Sequence, residues 1–346
     1  MVEFPAHPDD VTPAWLSGVL ADEVSDIRWT AIGTGQVGDS VRFRFRDAAG
    51  QERTLAAKFA AADETSRRTA ATFGLYAKEV AFYREIAPLL AVRVPEVHFA
   101  AIGADGADFI LLFEDLGPAR GGDQIAGCSL ADAEAAIRQS AAIHAPSWHH
   151  AELLALEWAA PRPETFDQVK ALYPHAHAIW QERYCAVLEP ELMAVCQRVA
   201  DAAETIFGAA PDPVSVVHGD FRLDNMLFDI KGGGEPIAIL DWQTVTLGNP
   251  LTDIGYFMGC GIGNALRVRH EPHLLDLYRH EMSARGVRLT HADIWDDYRR
   301  GAIHGITTAV FSAAFVERTE RGDANFLSMA RGACALALEH DSLSLV

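Results

Sequence analysis

The chain has little cysteine, too little positive charge to balance its acids, and no long apolar run. Each shortage closes off a class of function. Its five cysteines (Cys128, Cys185, Cys196, Cys260 and Cys334) are odd in number and scattered over 346 residues. No two have C-x-x-C spacing, so neither a disulfide framework nor a zinc knuckle is expected, and the expected setting is reduced and cytoplasmic. Lys and Arg number 29 against 48 Asp and Glu, a net charge of −19. A balance that acidic argues against nucleic acid or an anionic membrane as partner. The longest uncharged run, Gly301 to Val316, includes His304 and is too short for a bilayer, so no membrane insertion is expected and it reads as a buried helix. The start, MVEFPAHPDDVTPAW, has neither a basic lead nor an apolar stretch, so no signal peptide is expected.

What is present is a globular composition, 49% apolar and 22% charged, at a length that suits two domains. Thr12-Pro13 opens a short helix, threonine as cap and proline in the first turn. Strands are expected around Ile27–Ile32, Val41–Arg46, Thr54–Phe59, Val97–Ile102 and Asp108–Phe113. In the second, Val41, Phe43 and Phe45 alternate with Arg42, Arg44 and Arg46, the pattern of a half-buried antiparallel strand. Ser66–Ile86 reads as one helix, with Ala70, Phe73, Ala77, Val80 and Tyr83 on its apolar stripe. After Leu116 helical patterns dominate, over 129–144, 165–207 and from His273 onward, interrupted by a strand-and-turn region at 214–257. The expected domains are 1–116 and 117–346, joined by a hinge at Glu114–Gly117, with the glycine-rich linker GPARGGDQIAG just beyond. The fold class is α+β: a small antiparallel sheet with one helix, then a larger, mainly helical lobe.

GTGQVG, Gly33 to Gly38, fits G-x-G-x-x-G. A dinucleotide-binding turn would run into a helix, but here VRFRFR follows with a period of two. The glycines therefore join two strands, as in the glycine-rich loop that lies over ATP phosphates in a kinase, although Val41 follows Gly38 by three residues where that pattern has two. In that reading Gly33, Gly35, Gly38 and Ser40 border the phosphates. It also asks for a lysine on the third strand and a glutamate on the next helix. LAAKFA supplies Lys58, and KEVAFYREI supplies Glu79, with Glu85 as a rival.

The strongest signal is VVHGDFRLDNMLFD, Val216 to Asp229, followed by AILDWQ, Ala238 to Gln243. Phosphoryl transfer needs a carboxylate to orient the attacking hydroxyl and oxygen ligands for magnesium. Asp220 and Asn225 have the five-residue offset of base and metal ligand in H-R-D-x-x-x-x-N, and Arg222 offers a cation for the charge that develops on the phosphoryl group. A turn over IKGGGEP would return the chain so that Asp241 joins Asn225 at one magnesium site.

HGDFRLDN, ILDWQ and GNPLTDIGYF together resemble the aminoglycoside phosphotransferase and choline kinase superfamily, most closely its ecdysteroid-kinase-like branch. The resemblance runs from about Gly33 to Gly259 and takes in FILLFEDL and AAIHAPSW. It implies a two-lobed protein-kinase-like fold and ATP and Mg2+ as cofactors. It further implies Asp220 as catalytic base, Asn225 and Asp241 as metal ligands, Lys58 paired with Glu79, Asp253 bracing the catalytic loop, and Glu114–Leu116 meeting adenine through their backbone. D-W-Q stands where protein kinases have D-F-G, and no long activation segment fits between Asp241 and Asp253, so the expected acceptor is a small molecule bearing a hydroxyl. Steroid-like, hydroxyacyl, amino-alcohol and sugar acceptors fit this reading. An aminoglycoside kinase and a non-catalytic nucleotide sensor on the same fold are the alternatives. The paired histidines His149-His150, and His270 and His273, lack any metal-ligand spacing and read as capping or solvated groups. Trp148, Trp158 and Trp180 read as core before pocket lining.

Overall fold

The computed structural model describes residues 4–33, 38–208, 214–316 and 318–346. Two compact units divide it: Met1–Leu89 with Arg93–Ala119 and Asp229–Thr244, and Leu90–Val92 with Arg120–Phe228 and Val245–Val346.

In the first unit, Thr12 Oγ1 accepts from the Trp15 N–H at 3.2 Å and caps α1 (Pro13–Leu20). The sheet is wholly antiparallel, β1 (Ser25–Ile32), β2 (Gly38–Arg46), β3 (Glu52–Ala60), β4 (Val97–Ile102) and β5 (Phe109–Glu114), in the order β1-β2-β3-β5-β4. Alternation along β2 is realised as the pattern predicts. Val41, Phe43 and Phe45 are buried with Leu55, Ala57 and Phe59 against Leu16 of α1, each large side chain contributing about 1.5–3 kcal/mol. Arg42 points the other way and pairs with Asp115 at 2.6 Å. β5 is apolar up to its last residue, Glu114, because both of its faces are covered: Ile110 and Leu112 join the α1 core, while Phe109 and Phe113 meet the rings of Tyr76 and Tyr83.

The single helix expected over Ser66–Ile86 is broken. Asp63 caps α2 (Glu64–Thr72), and Gly74 then takes φ +66 before α3 (Leu75–Ala81). A left-handed residue ends the first helix and rotates the second out of phase. Phe73, assigned to the apolar stripe, is consequently 61% exposed. Further along the chain, Trp242 belongs to this unit's core, stacked on Phe82 at 3.8 Å and fully buried.

The second unit is mainly helical: α4 (Leu130–Ser147), α5 (Pro163–Tyr184), α6 (Pro190–Asp201), α7 (Leu251–Tyr256), α8 (Asn264–Ala284), α9 (His291–Phe315) and α10 (Glu320–Glu339) carry most of it. The helical pattern expected over 165–207 is interrupted after Tyr184, and Pro190 opens α6, where its missing N–H costs nothing. Helix α9 contains the uncharged run as far as Phe315, buried as expected for most of its length. α7 crosses α9 backbone to backbone. A β-carbon on Gly255 would lie 2.5 Å from the Gly301 Cα, and one on Gly301 would lie 2.6 Å from the Gly255 Cα. A short ladder, β6 (Ser215–Val217) against β7 (Thr246–Gly248), delivers the chain into the segment 218–225.

Candidate active site

Lys58 sits one residue out of phase with the buried Ala57 and Phe59, so it leaves β3 on the face that α3 covers. Its ammonium donates to Glu79 Oε1 and Oε2 at 3.0 and 2.8 Å and to Asp241 Oδ1 at 3.0 Å. Burial disfavours the charged lysine, but Asp241 and Glu79 outweigh it and hold the ammonium above its ordinary pKa. The nearly buried Glu79 is the partner; its rival Glu85 is exposed. Asp241 adopts φ +61, a left-handed conformation uncommon for aspartate, and this directs its carboxylate back to Lys58. Lys58→Met would leave Glu79 buried without its cation, so we expect a stability loss of about 3 kcal/mol in denaturant titration. Adding Glu79→Leu should recover most of it; a double variant as unstable as the single one would contradict a buried pair.

Gly33, at φ +77, and Gly38 flank the expected phosphate-covering loop, and Gly35 lies outside the described residues. On Gly38 a β-carbon would meet the Lys58 Cε at 3.2 Å, and Ser40 pairs across the sheet with Lys58. Glu114, at the end of β5, binds Arg93 at 2.6 Å and Lys231 at 2.5 Å. Burial would raise its carboxyl, but these two cations bring it down to about 2. The Leu116 carbonyl accepts from the Lys231 N–H at 2.8 Å.

In the second unit the segment 218–225 is held at both backbone and side chain. Asp253 of α7 accepts from the His218 and Gly219 N–H groups at 2.7 and 3.0 Å, and its Oδ2 lies 3.3 Å from His144 Nε2. His144 Nδ1 in turn meets the Tyr278 hydroxyl at 3.0 Å. Burial alone would raise the Asp253 carboxyl; the hydrogen bond from His144 and the neighbouring imidazoles outweigh it and keep it below the ordinary range. Asp220 receives Tyr256 Oη at 2.7 Å on Oδ1, and Arg222 Nε at 3.0 Å and Asn225 Nδ2 at 2.8 Å on Oδ2, with Arg222 Nε also 2.9 Å from Oδ1. Here too burial opposes ionisation, but Arg222 and the Tyr256 hydroxyl prevail and the carboxyl lies below its ordinary value. Because Asn225 spends its N–H donors on the Asp220 side chain and carbonyl, its amide oxygen is not used on Asp220. An amide oxygen and a carboxylate are the hard donors magnesium takes, so Asn225 and Asp241 each suit it chemically.

Arg222, expected to offer a cation to the phosphoryl group, has carboxylate partners here in Asp220 and Asp224. Its other guanidinium nitrogen bonds Asp224 at 3.1 Å, and Asp224 is gripped again by Arg321 of α10 at 3.1 Å. Arginines and aspartates thus alternate along the loop. Gln124 completes it, its N–H on Asp224 at 3.0 Å and its Oε1 accepting from Leu223 N–H at 3.2 Å. Gly122 lies so close that a β-carbon would stand 2.8 Å from the Leu223 carbonyl carbon. The segment read as a linker is therefore part of the loop's support. Tyr256, His304, Arg321 and Gln124 were missed as site residues. Only Tyr256 left a usable trace, three residues after Asp253 and so on the same helical face. His150 caps the turn after it, His273 binds Glu134 at 2.7 Å, and Trp180 is fully buried while Trp148 and Trp158 are half-buried.

The fold is shared with a protein of Ralstonia eutropha JMP134 provisionally named an aminoglycoside phosphotransferase (TM-score 0.60, 18% identity, 94% of this chain and 97% of that one). It is also shared with the GDP complex of aminoglycoside 2'-phosphotransferase-IIIa (0.55, 15%, 90% and 93%) and with a microcompartment-associated aminopropanol kinase (0.51, 16%, 96% and 99%). Over 81 residues the chain is 36% identical to acyl-CoA dehydrogenase family member 11 of Homo sapiens, which is 22% of this chain and 10% of that protein. Over 42 residues it is 50% identical to acyl-CoA dehydrogenase family member 10 of Mus musculus, 12% and 4% of the two chains. The chain thus spans about a tenth or less of the length of the curated relatives it matches. Its architecture is the two-lobed protein-kinase-like α+β fold, and with the family match extending over residues 40–290, the chain belongs to the ecdysteroid kinase-like family.

Proposed function

We propose that this chain is an ATP-dependent phosphotransferase that moves the γ-phosphoryl group to a hydroxyl of a small molecule. The observation that carries the reading is Lys58 held between Glu79 and an aspartate 183 residues further on. A lysine fixed in this way meets nucleotide phosphates with its charge already placed. The glycine-flanked loop covers the phosphates, and the backbone at Glu114–Leu116 receives the adenine. Asn225 and Asp241 would hold Mg2+, which would offset charge on the phosphate oxygens. Asp220 orients the acceptor hydroxyl and takes its proton as the new oxygen–phosphorus bond forms; the bond from the γ-phosphorus to the β–γ bridging oxygen breaks, and ADP leaves. With both its oxygens already accepting hydrogen bonds, Asp220 serves first as an orienting group, as a loose, charge-dispersed transition state requires.

The charges beside Asp220 favour a neutral or weakly charged acceptor over a polycationic aminoglycoside. Asp220 and Asp224 are each already paired with an arginine, so neither is an idle anion for an ammonium group. ADP release from Mg-ATP should therefore rise with a hydroxylated acceptor from a panel of sterols, sugars, amino alcohols and hydroxyacyl thioesters. Measurable Mg-ATP binding with no ADP release for any acceptor would replace the enzyme with a nucleotide sensor.

A further inference from the structure

Tyr256 is fully buried at the end of α7, and nothing in the reaction described above uses it. Its hydroxyl is 2.7 Å from Asp220 Oδ1. The phenol is held protonated, because burial and the adjacent Asp220 charge raise its pKa well above the ordinary value, so it can only donate in that contact. Asp253 and Tyr256 are three residues apart and share one face of α7. One short helix thereby holds the backbone of the loop through Asp253 and its reacting carboxylate through Tyr256.

The ring itself has little freedom. The His304 imidazole stands edge-on to it, with centroids 5.3 Å apart and planes at 72°, and His304 Nε2 reaches the Gly219 carbonyl at 3.2 Å. The helix bearing His304 meets α7 through Gly255 and Gly301, so the distance from Tyr256 to His304 is set by backbone contact. Around Asp220, Tyr256 donates to Oδ1, while Arg222 and Asn225 donate to Oδ2, with Arg222 Nε also 2.9 Å from Oδ1. Arg222 pulls toward Asp224 as well, and Tyr256 alone among these donors comes from outside the loop.

We propose that Tyr256 is a positioning residue for phosphoryl transfer, fixing the rotation of the Asp220 carboxylate and hence the lone pair presented to the acceptor hydroxyl. This rests on the reading of Asp220 as the orienting base. Without the phenol the carboxylate can swing toward Arg222, and misplacement of a reacting group by about an ångström costs on the order of a hundredfold in rate.

The test is a double-mutant cycle with Tyr256→Phe, Asp220→Asn and the pair, following ADP release with the best acceptor, or acceptor-independent release if the panel yields none. Phenylalanine keeps the ring against His304, and Asp220 retains Arg222 and Asn225, so the variant should fold; its melting temperature checks this. Tyr256→Phe should lower kcat ten- to a hundredfold with KM for Mg-ATP within about twofold of wild type. In the Asp220→Asn background it should cost nothing further, as for residues that act as a unit. An unchanged kcat, a loss confined to KM, or the same loss repeated in the Asp220→Asn background would overturn the proposal. Full turnover in Asp220→Asn alone would instead overturn the reading beneath it.

Discussion

Asp220→Asn lowers turnover by about a thousandfold and leaves Mg-ATP affinity within a few-fold of wild type. The size follows from removing a positioned general base, which contributes typically about 10²- to 10⁴-fold. Its selectivity follows from where the charge sits. Lys58, Glu79 and Asp241, which the reading assigns to the nucleotide, form their ion pairs without Asp220. An amide at position 220 still offers one oxygen to Tyr256 or Arg222, and Arg222 keeps Asp224 at 3.1 Å, so the loop is not left with an unpaired arginine. Single-turnover ADP release beside nucleotide titration by intrinsic fluorescence separates the two quantities. Loss of both together would mean that Asp220 organises the site as a whole; retention of both would remove the catalytic assignment.

Asp253→Ala costs on the order of 4 kcal/mol of stability without touching any group assigned to chemistry. Two N–H groups, those of the buried His218 and the partly buried Gly219, lose their acceptor, and His144 loses its carboxylate. Each buried donor left unmade costs about 1–3 kcal/mol. For a unit of this size the melting temperature should fall by about 10 °C. Asp253→Asn, which retains one acceptor oxygen, should lose roughly half as much. Thermal unfolding of the two variants in parallel checks this, and equal losses would show that the interaction with His144, not the backbone, dominates.

The elements that were legible in the sequence are those in which each position obeys one local rule. β2 alternates because one of its faces is core and the other carries Arg42 and its partner, and the alternation alone placed it. The five-residue offset from Asp220 to Asn225 was legible for a similar reason, since the loop is short and the asparagine bonds directly back to the aspartate. Continuity was harder to read. Ser66–Ile86 keeps a helical period across Gly74, and periodicity cannot register that one left-handed residue restarts the phase. The surroundings of Arg222 were legible only in part: its partners Asp220 and Asp224 lie in the same motif, but Arg321, which also binds Asp224, comes from α10. Gln124 and Gly122 were assigned to a linker because glycine-rich composition looks the same whether a segment hangs free or lies on a loop with no space for a β-carbon.

The crossing of α7 and α9 at Gly255 and Gly301 has a consequence for how the protein tolerates heat and sequence drift. A contact between two backbones has no rotamers. Thermal repacking of neighbouring side chains therefore has little to act on there. Asp253 and Tyr256 flank that contact on the same short helix. The surrounding helices can change their side chains, and with them the molecules they meet, while the loop that carries Asp220 stays insulated from the noise those changes make.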